Sequence, residues 1–392
     1  MSAGWSLGRI PRIEFGDGAF AKVPEISARH GSRALLVTGG RSLAQSGRRD
    51  ELVAGLGAAG VALAGEAAVL EEPSPGLVDG IVAASRGERI DVVIGVGGGS
   101  VLDASKAVAG LLLTGTSVID HLEGLPGQVS WPGPSVPLIA VPTTAGTGSE
   151  ITRNAVITAR GPDGYKRSFR DEQLVAADAV VDPSLLAGLG AVSIATNGMD
   201  AVTQLLESYL SVRAGALTDA MAIAGLEAVR DGLLSWHAEP DGPGAPAARA
   251  LVAYAAMLSG ICLANAGLGA VHGLASPIGA HFPVPHGAAC GATLAAVTGA
   301  NIRALEERAP AGPALDRYAT VGRVLGGLPS TALATEGRAA LVRVLDEWTR
   351  VLGVPGLGTW GIDETAIPAL VADARGSSMR TNPIVLTDDE LA

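Results

Sequence analysis

Aromatic residues are scarce in this chain of 392 residues: Phe, Tyr and Trp make up 3% of it. A core without them is filled by aliphatic and small side chains. With 48% apolar residues and 54 glycines, closely approaching helices and strands packed by Ala, Val and Leu are expected, and disorder is excluded. Cysteine is almost absent. Cys262 and Cys290 both lie in apolar runs, so there is no disulfide framework, and both read as reduced core residues of a cytoplasmic protein. Basic charge is in deficit, with 28 Lys and Arg against 39 Asp and Glu and a net charge of −11. No Lys/Arg run occurs, which argues against nucleic acid and membrane surfaces as partners. The stretch from Met1 to Arg12 lacks the apolar segment of a signal peptide. Leu251 to Ala275 contains no Asp, Glu, Lys or Arg and has the length of a membrane span. Its Gly and Ala content, Asn265 and His272, and the lack of a second such stretch fit a buried helix pair instead.

Two regimes follow one another along the chain. Up to about residue 185, short apolar runs alternate with helical spacing. Strands are expected at Arg33–Thr38, Val61–Gly65, Asp91–Val96 and Val136–Val141, with shorter ones at Asn154–Thr158 and Ala179–Val181. Helices are expected at Ser46–Ala59, Pro75–Arg86 and Val101–Leu113 between them. This order predicts an α/β, doubly wound parallel sheet of Rossmann-like type over 1–185. From 186 to 392 strand signals vanish and eight Ala/Leu-rich segments predict an all-α domain.

Three motifs carry chemistry. Gly97-Gly98-Gly99-Ser100 follows a strand and opens a helix, so bare N–H groups and the positive helix end could cradle a phosphate; Asp103 could cap that helix. The run from Pro142 to Glu150 sets Thr143, Thr144, Thr147 and Ser149 among small residues, which suits hydrogen bonding to a ribose or diphosphate. Asp200 and Gln204 stand four apart on a helix, and His272 and His286 flank a Pro-rich bend. Together they offer oxygen and imidazole donors to one cation.

In this order, Gly-Gly-Gly-Ser-x-x-Asp at 97–103, Pro-Thr-Thr-Ala-Gly-Thr-Gly-Ser-Glu at 142–150, Gly-Met-Asp-Ala at 198–201, His272 with Pro285-His286-Gly287, and Met379-Arg380-Thr381-Asn382-Pro383 resemble the iron-dependent (group III) alcohol dehydrogenases over nearly the whole chain. The resemblance implies a dinucleotide-binding domain, a helical domain, and a divalent metal (Fe²⁺ or Zn²⁺) and NAD or NADP in the cleft between them. It makes Gly98, Gly99 and Ser100 the pyrophosphate cradle and Asp103 a cofactor-side contact. Thr143, Thr144 and Thr147 would line the adenine, ribose and phosphate track. Thr152, Asn154 and Val156 would approach the nicotinamide, Lys166 would reach its ribose, and Asp200, His272 and His286 would bind the metal and carry catalysis. It also implies a homodimer or larger homo-oligomer.

The chain departs from that pattern twice. Gln204 stands where the family has a second ligand His on the first helix, and Ser276 stands where it has a further His. Gln204 could coordinate through its carbonyl or bind substrate instead, and His281 could join a proton relay. The family's ribose-binding Asp falls at Gly39, so the repulsion of a 2′-phosphate is missing. Arg41 and Ser42 stand close by, and the reading leans to NADP or dual use. The expected activity is reversible hydride transfer between a nicotinamide and a small alcohol, aldehyde or ketone. The alternatives are a metal-independent reductase of the maleylacetate type, a lyase like dehydroquinate synthase, and a dinucleotide-binding protein without catalysis.

Overall fold

A computed structural model of the chain describes residues 5–40, 42–160 and 164–392. Two compact units result. One holds Gly8–Thr144 and Gly148–Leu186; the other holds Ala187–Ala392 with Ala145–Thr147 and residues 5–7.

In the first unit the strands β1 (Arg12–Phe15), β2 (Arg33–Thr38), β3 (Ala62–Ala68), β4 (Val92–Gly97), β5 (Leu138–Pro142) and β8 (Asp178–Val181) form one sheet, ordered β3-β2-β4-β5-β8-β1. Every pairing is parallel, as expected. Strand β4 is buried along its whole length because helices cover both faces, which is why it reads as an unbroken apolar run. Alternate residues serve opposite cores. Leu35, Val37 and Val93 pack on one side, with Leu102 and Val108 of the helix Gly99–Leu111. Ala34, Leu36, Val92 and Ile94 pack on the other, with Val23 and Ile26. A Cβ at Gly95 would sit 2.5 Å from Ser105 Oγ, so glycine lets the helix Gly99–Leu111 lie directly on β4.

One expectation for this unit needs correction, and two strands, β1 and Tyr165–Arg170, were not expected. Asn154–Ala159 (β6) is not part of the main sheet; it pairs antiparallel with Tyr165–Arg170 (β7), in register from Asn154 opposite Arg170. Strand β7, Tyr-Lys-Arg-Ser-Phe-Arg, buries little besides Phe169, so no apolar run announces it. The helix expected over Ser46–Ala59 is found as Arg48–Ala58, entered through Gly47 in the left-handed region at φ 76°; a separate short helix, Ser42–Gln45, precedes it.

The second unit is helical and has no strand among the described residues. Its main helices are Ala191–Leu210, Ala216–Ala238, Ala245–Ala266, Ala270–His281, His286–Arg308, Ala314–Leu325 and Ala334–Val351. The last expected segment forms only the short helix Ile367–Asp373. Ala191–Leu210 is buried without a break from Gly198 onward, so it runs through the core instead of lying on it. Among the described residues Ala245–Ala266 is the one helix long and apolar enough to cross a membrane. It ends at Gly267, φ 83°, and Ala270–His281 follows, so the apolar stretch is the expected pair of helices.

Candidate functional site

The core helix Ala191–Leu210 carries three polar groups on one face, Asp200, Gln204 and Glu207, at spacings of four and three residues. All three are buried. His272 is in the first turn of the helix Ala270–His281, which has no side-chain cap of its own. Remote groups satisfy its first N–H bonds: Asn382 Oδ1 accepts from Ala270 at 3.1 Å and Glu207 Oε1 from Val271 at 2.6 Å. The C-terminal Thr-Asn-Pro motif is thereby accounted for, because Asn382 also donates to Asn301 Oδ1 at 2.7 Å and locks the end of the chain against two helices. His286 opens the helix His286–Arg308, and Cys290 lies one turn further on the same helix.

These residues converge. His272 Nε2 is 3.4 Å and His286 Nε2 3.8 Å from Asp200 Oδ1, and both nitrogens are 3.8 Å from Cys290 Sγ. Glu207 Oε2 stands 2.6 Å from His272 Nδ1. A carboxylate only accepts, so Glu207 keeps a proton on Nδ1 and leaves Nε2 as the atom that a cation would bind. Asp200 Oδ1 is buried without a hydrogen-bond partner, an arrangement that costs free energy unless a cation completes it. Burial pushes the Asp200 carboxyl up, but His272, His286 and the Gln204 amide outweigh it and hold the group below its ordinary value. The donor set, one ionised carboxylate and two imidazoles, therefore fits a divalent metal. Burial raises the Cys290 thiol to about 11 and the Cys262 thiol to about 12.

Asp200, His272 and His286 are thus brought together as the sequence implied. Gln204, expected as a carbonyl ligand or a substrate contact, has partners of its own in the core. Its Oε1 already accepts a 2.6 Å hydrogen bond from Ser259, which turns its NH₂ toward the Asp200 carboxylate. Ser276 is exposed and donates to the His272 carbonyl. His281 is exposed and paired with Asp373 at 2.8 Å. Cys290 is more than a core thiol, since it belongs to the cluster. Glu207 and Cys290 were readable as the next positions on the helical faces of Asp200 and His286, but nothing local marks them as functional.

In the sheet unit the chain turns back between β2 and β4, and ligands of open α/β sheets bind at the carboxyl ends of strands beside such a reversal. Gly39 follows β2 there, and Gly97-Gly98-Gly99 ends β4 and starts the next helix. Gly98 leaves that helix without a side-chain cap, so its first N–H groups are open to an anion. A Cβ on Gly98 would come within 3.3 Å of Thr144 and fill the cradle. Ser100 lies in the first turn. The Thr143 N–H bonds the Gly97 carbonyl at 3.0 Å, which ties the Thr-Thr loop to the cradle. Thr147 packs with the helical unit, where Gly146 passes so close that a Cβ would lie 2.9 Å from Asn197 Cα. Arg41, the expected phosphate partner, lies outside the described residues; Ser42 begins a short helix.

Other expected cofactor contacts have partners within the protein. Asp103 accepts from Ser149 Oγ, from the Val156 N–H at 3.0 Å and from Lys106 at 3.0 Å. Lys106, fully buried, also donates to Thr152 Oγ1 at 2.9 Å and to the Asn154 carbonyl. Asp103 thereby ties the cradle helix to β6. Lys106 went unnoticed because a lysine in a helix is ordinarily a surface residue. Burial pulls its ammonium below the usual value against the pull of Asp103. Burial likewise raises the Glu150 carboxyl to about 7. Lys166 is bonded to Glu72 at 2.7 Å, and Glu72 also accepts from Thr158.

Residues 11–183 match the family model described as iron-containing alcohol dehydrogenase, and residues 194–392 match its C-terminal companion. The chain is 32% identical to long-chain-alcohol dehydrogenase 1 of Geobacillus thermodenitrificans, over 94% of this chain and 90% of that one. It is 31% identical to lactaldehyde reductase of Escherichia coli K12, over 92% and 90%. Among solved structures it is similar to an alcohol dehydrogenase from Oenococcus oeni, with a TM-score of 0.88 and 26% identity over 99% of this chain and 98% of that one.

Proposed function

The chain belongs to the iron-containing alcohol dehydrogenase family, and from that premise we propose how its own residues divide the work. It is an oxidoreductase that acts on CH–OH groups with a nicotinamide dinucleotide, transferring hydride between the cofactor and a small alcohol or carbonyl compound. The single observation that carries the reading is the buried, unpartnered Asp200 Oδ1 facing the Nε2 atoms of His272 and His286. When bound there, a divalent cation supplies Lewis-acid polarisation of the substrate oxygen.

The protein's share is preorganisation. Glu207 selects the His272 tautomer and aims the ring. Gln204 and the two imidazoles keep Asp200 ionised. We read Gln204 as the variant residue in place of a ligand histidine, serving the carboxylate through its NH₂. Gly98, Gly99 and Ser100 offer backbone N–H groups and a helix N-terminus to the diphosphate, and Asp103 with Lys106 holds β6 in register behind them. The absence of a carboxylate at Gly39 supports NADP or dual use. A kcat/KM at least about tenfold higher with NADH than with NADPH, a difference of about 1.4 kcal/mol, overturns that preference. A homodimer or larger assembly and a cytoplasmic setting complete the proposal; sedimentation and cell fractionation test them.

The decisive experiment follows NADH and NADPH absorbance across aldehydes, ketones and keto acids, in chelated protein and with Fe²⁺ or Zn²⁺ restored. Turnover should depend on metal. Full activity below about a tenth of an equivalent of any divalent ion refutes the Lewis-acid reading and favours a metal-independent reductase.

A further inference from the structure

We propose that Cys290, not Gln204, is the fourth protein ligand of the metal centre, so that this chain holds its cation with Asp200, His272, His286 and a thiolate. The inference rests on the metal reading above and concerns which atoms complete it. The four ligating atoms lie within 4.8 Å of one another. The edges from Asp200 Oδ1 to the two imidazoles are 3.4 and 3.8 Å, and both edges from Cys290 Sγ to the imidazoles are 3.8 Å. Bonds of ~2.0–2.3 Å to oxygen, nitrogen and sulphur around a tetrahedral ion require edges of ~3.3–3.6 Å. Those four edges need to close by only a few tenths of an ångström. A substrate oxygen would have to join these four donors as a further ligand.

Two further features favour the sulphur. Cys290 is one helical turn beyond His286, so one rigid helix presents both donors to the same point. Asp200 Oδ1 is buried and unpartnered among the same atoms, and the His272 Nδ1 opposite the centre is already held by Glu207. Gln204, by contrast, has its Oε1 2.6 Å from the Ser259 hydroxyl, which already uses one of its two lone pairs. Coordination releases the thiol proton to the buffer and changes no oxidation state. A thiolate in the shell shifts preference from hard cations toward zinc-type ions.

The test is anaerobic titration of chelated full-length protein with Co²⁺, a spectroscopic stand-in for zinc. The wild type should bind one equivalent and develop a near-ultraviolet thiolate-to-cobalt charge-transfer band. Cys262→Ser and Gln204→Ala should keep the band. Cys290→Ser should lose it and bind zinc at least about tenfold more weakly, the loss that removal of an outer-shell partner already produces. Zinc-edge X-ray absorption of the wild type gives a second measurement that needs no variant: one sulphur neighbour at about 2.3 Å is expected. Cobalt bound without the band, a band that survives in Cys290→Ser, or a zinc shell of nitrogen and oxygen alone overturns the proposal. Failure to bind cobalt, zinc or iron at all would sink the metal reading itself and this inference with it.

Discussion

Glu207 touches neither of the proposed reactants, yet replacing it with Gln should disable the metal centre. Its two oxygens accept from the Val271 N–H and from His272 Nδ1, both at 2.6 Å. The amide introduced by Glu207→Gln would keep one acceptor and gain a donor. If its oxygen stays on the Val271 N–H, its NH₂ meets Nδ1, and the ring must move its proton to Nε2, the atom that faces Asp200. If its oxygen turns to Nδ1–H, its NH₂ meets the Val271 N–H and one buried donor is left unsatisfied, at about 1–3 kcal/mol. The first arrangement removes the lone pair that binding requires; the second keeps it but sets two donors against each other at Val271, in the helix turn that carries His272. Outer-shell substitutions of this kind cost about 10–100-fold in metal affinity, or roughly 1.4–2.7 kcal/mol. Competition with a chromophoric chelator for Zn²⁺ measures this directly, with and without substrate. An affinity within about twofold of wild type would show that Glu207 does not set the tautomer; tenfold is the least the outer-shell precedent allows.

Three further outcomes are expected. Ser100→Asp puts a carboxylate in the first turn of the capless cradle helix and should weaken NADH and NADPH binding at least about tenfold through like-charge repulsion; an unchanged fluorescence titration contradicts the cradle. Lys106→Met leaves the Asp103 carboxylate and the Thr152 and Asn154 acceptors without their cation and should cost about 3–5 kcal/mol by urea unfolding, since breaking a buried pair strands its partner. Burial raises the folded Glu150 carboxyl from 4.5 to about 7, so the folded state takes up a proton that the unfolded chain releases. The group is not penalised below pH 4.5, and its ionisation drains stability up to about pH 7, by ~3 kcal/mol in all. Glu150→Gln should therefore resemble wild type in stability at pH 4.5 and exceed it at pH 8; parallel unfolding midpoints across that range would contradict the assignment.

Much of the architecture was legible because it depends on local chemistry. Strand β4 could be read because a parallel strand covered on both faces is apolar at every position, and the cradle because a glycine run between strand and helix leaves its imprint in sequence. Asp200, His272 and His286 were legible as a set through their order and residue types. The β6–β7 hairpin was not, because Tyr165–Arg170 has no apolar run and gains its place by pairing with Asn154–Ala159. The partners of each polar group belong to tertiary structure alone. Asp103 looked like a helix cap and Lys106 drew no notice, but packing of the helix on β6 buries Lys106 against the Asp103 carboxylate. Gln204 looked like a ligand by helical spacing. Whether its carbonyl faces a cation or Ser259 depends on a residue 55 positions away, just as the role of Cys290 depends on His272, 18 positions before it. Periodicity reports which face a residue occupies; only the packed chain decides what that face meets.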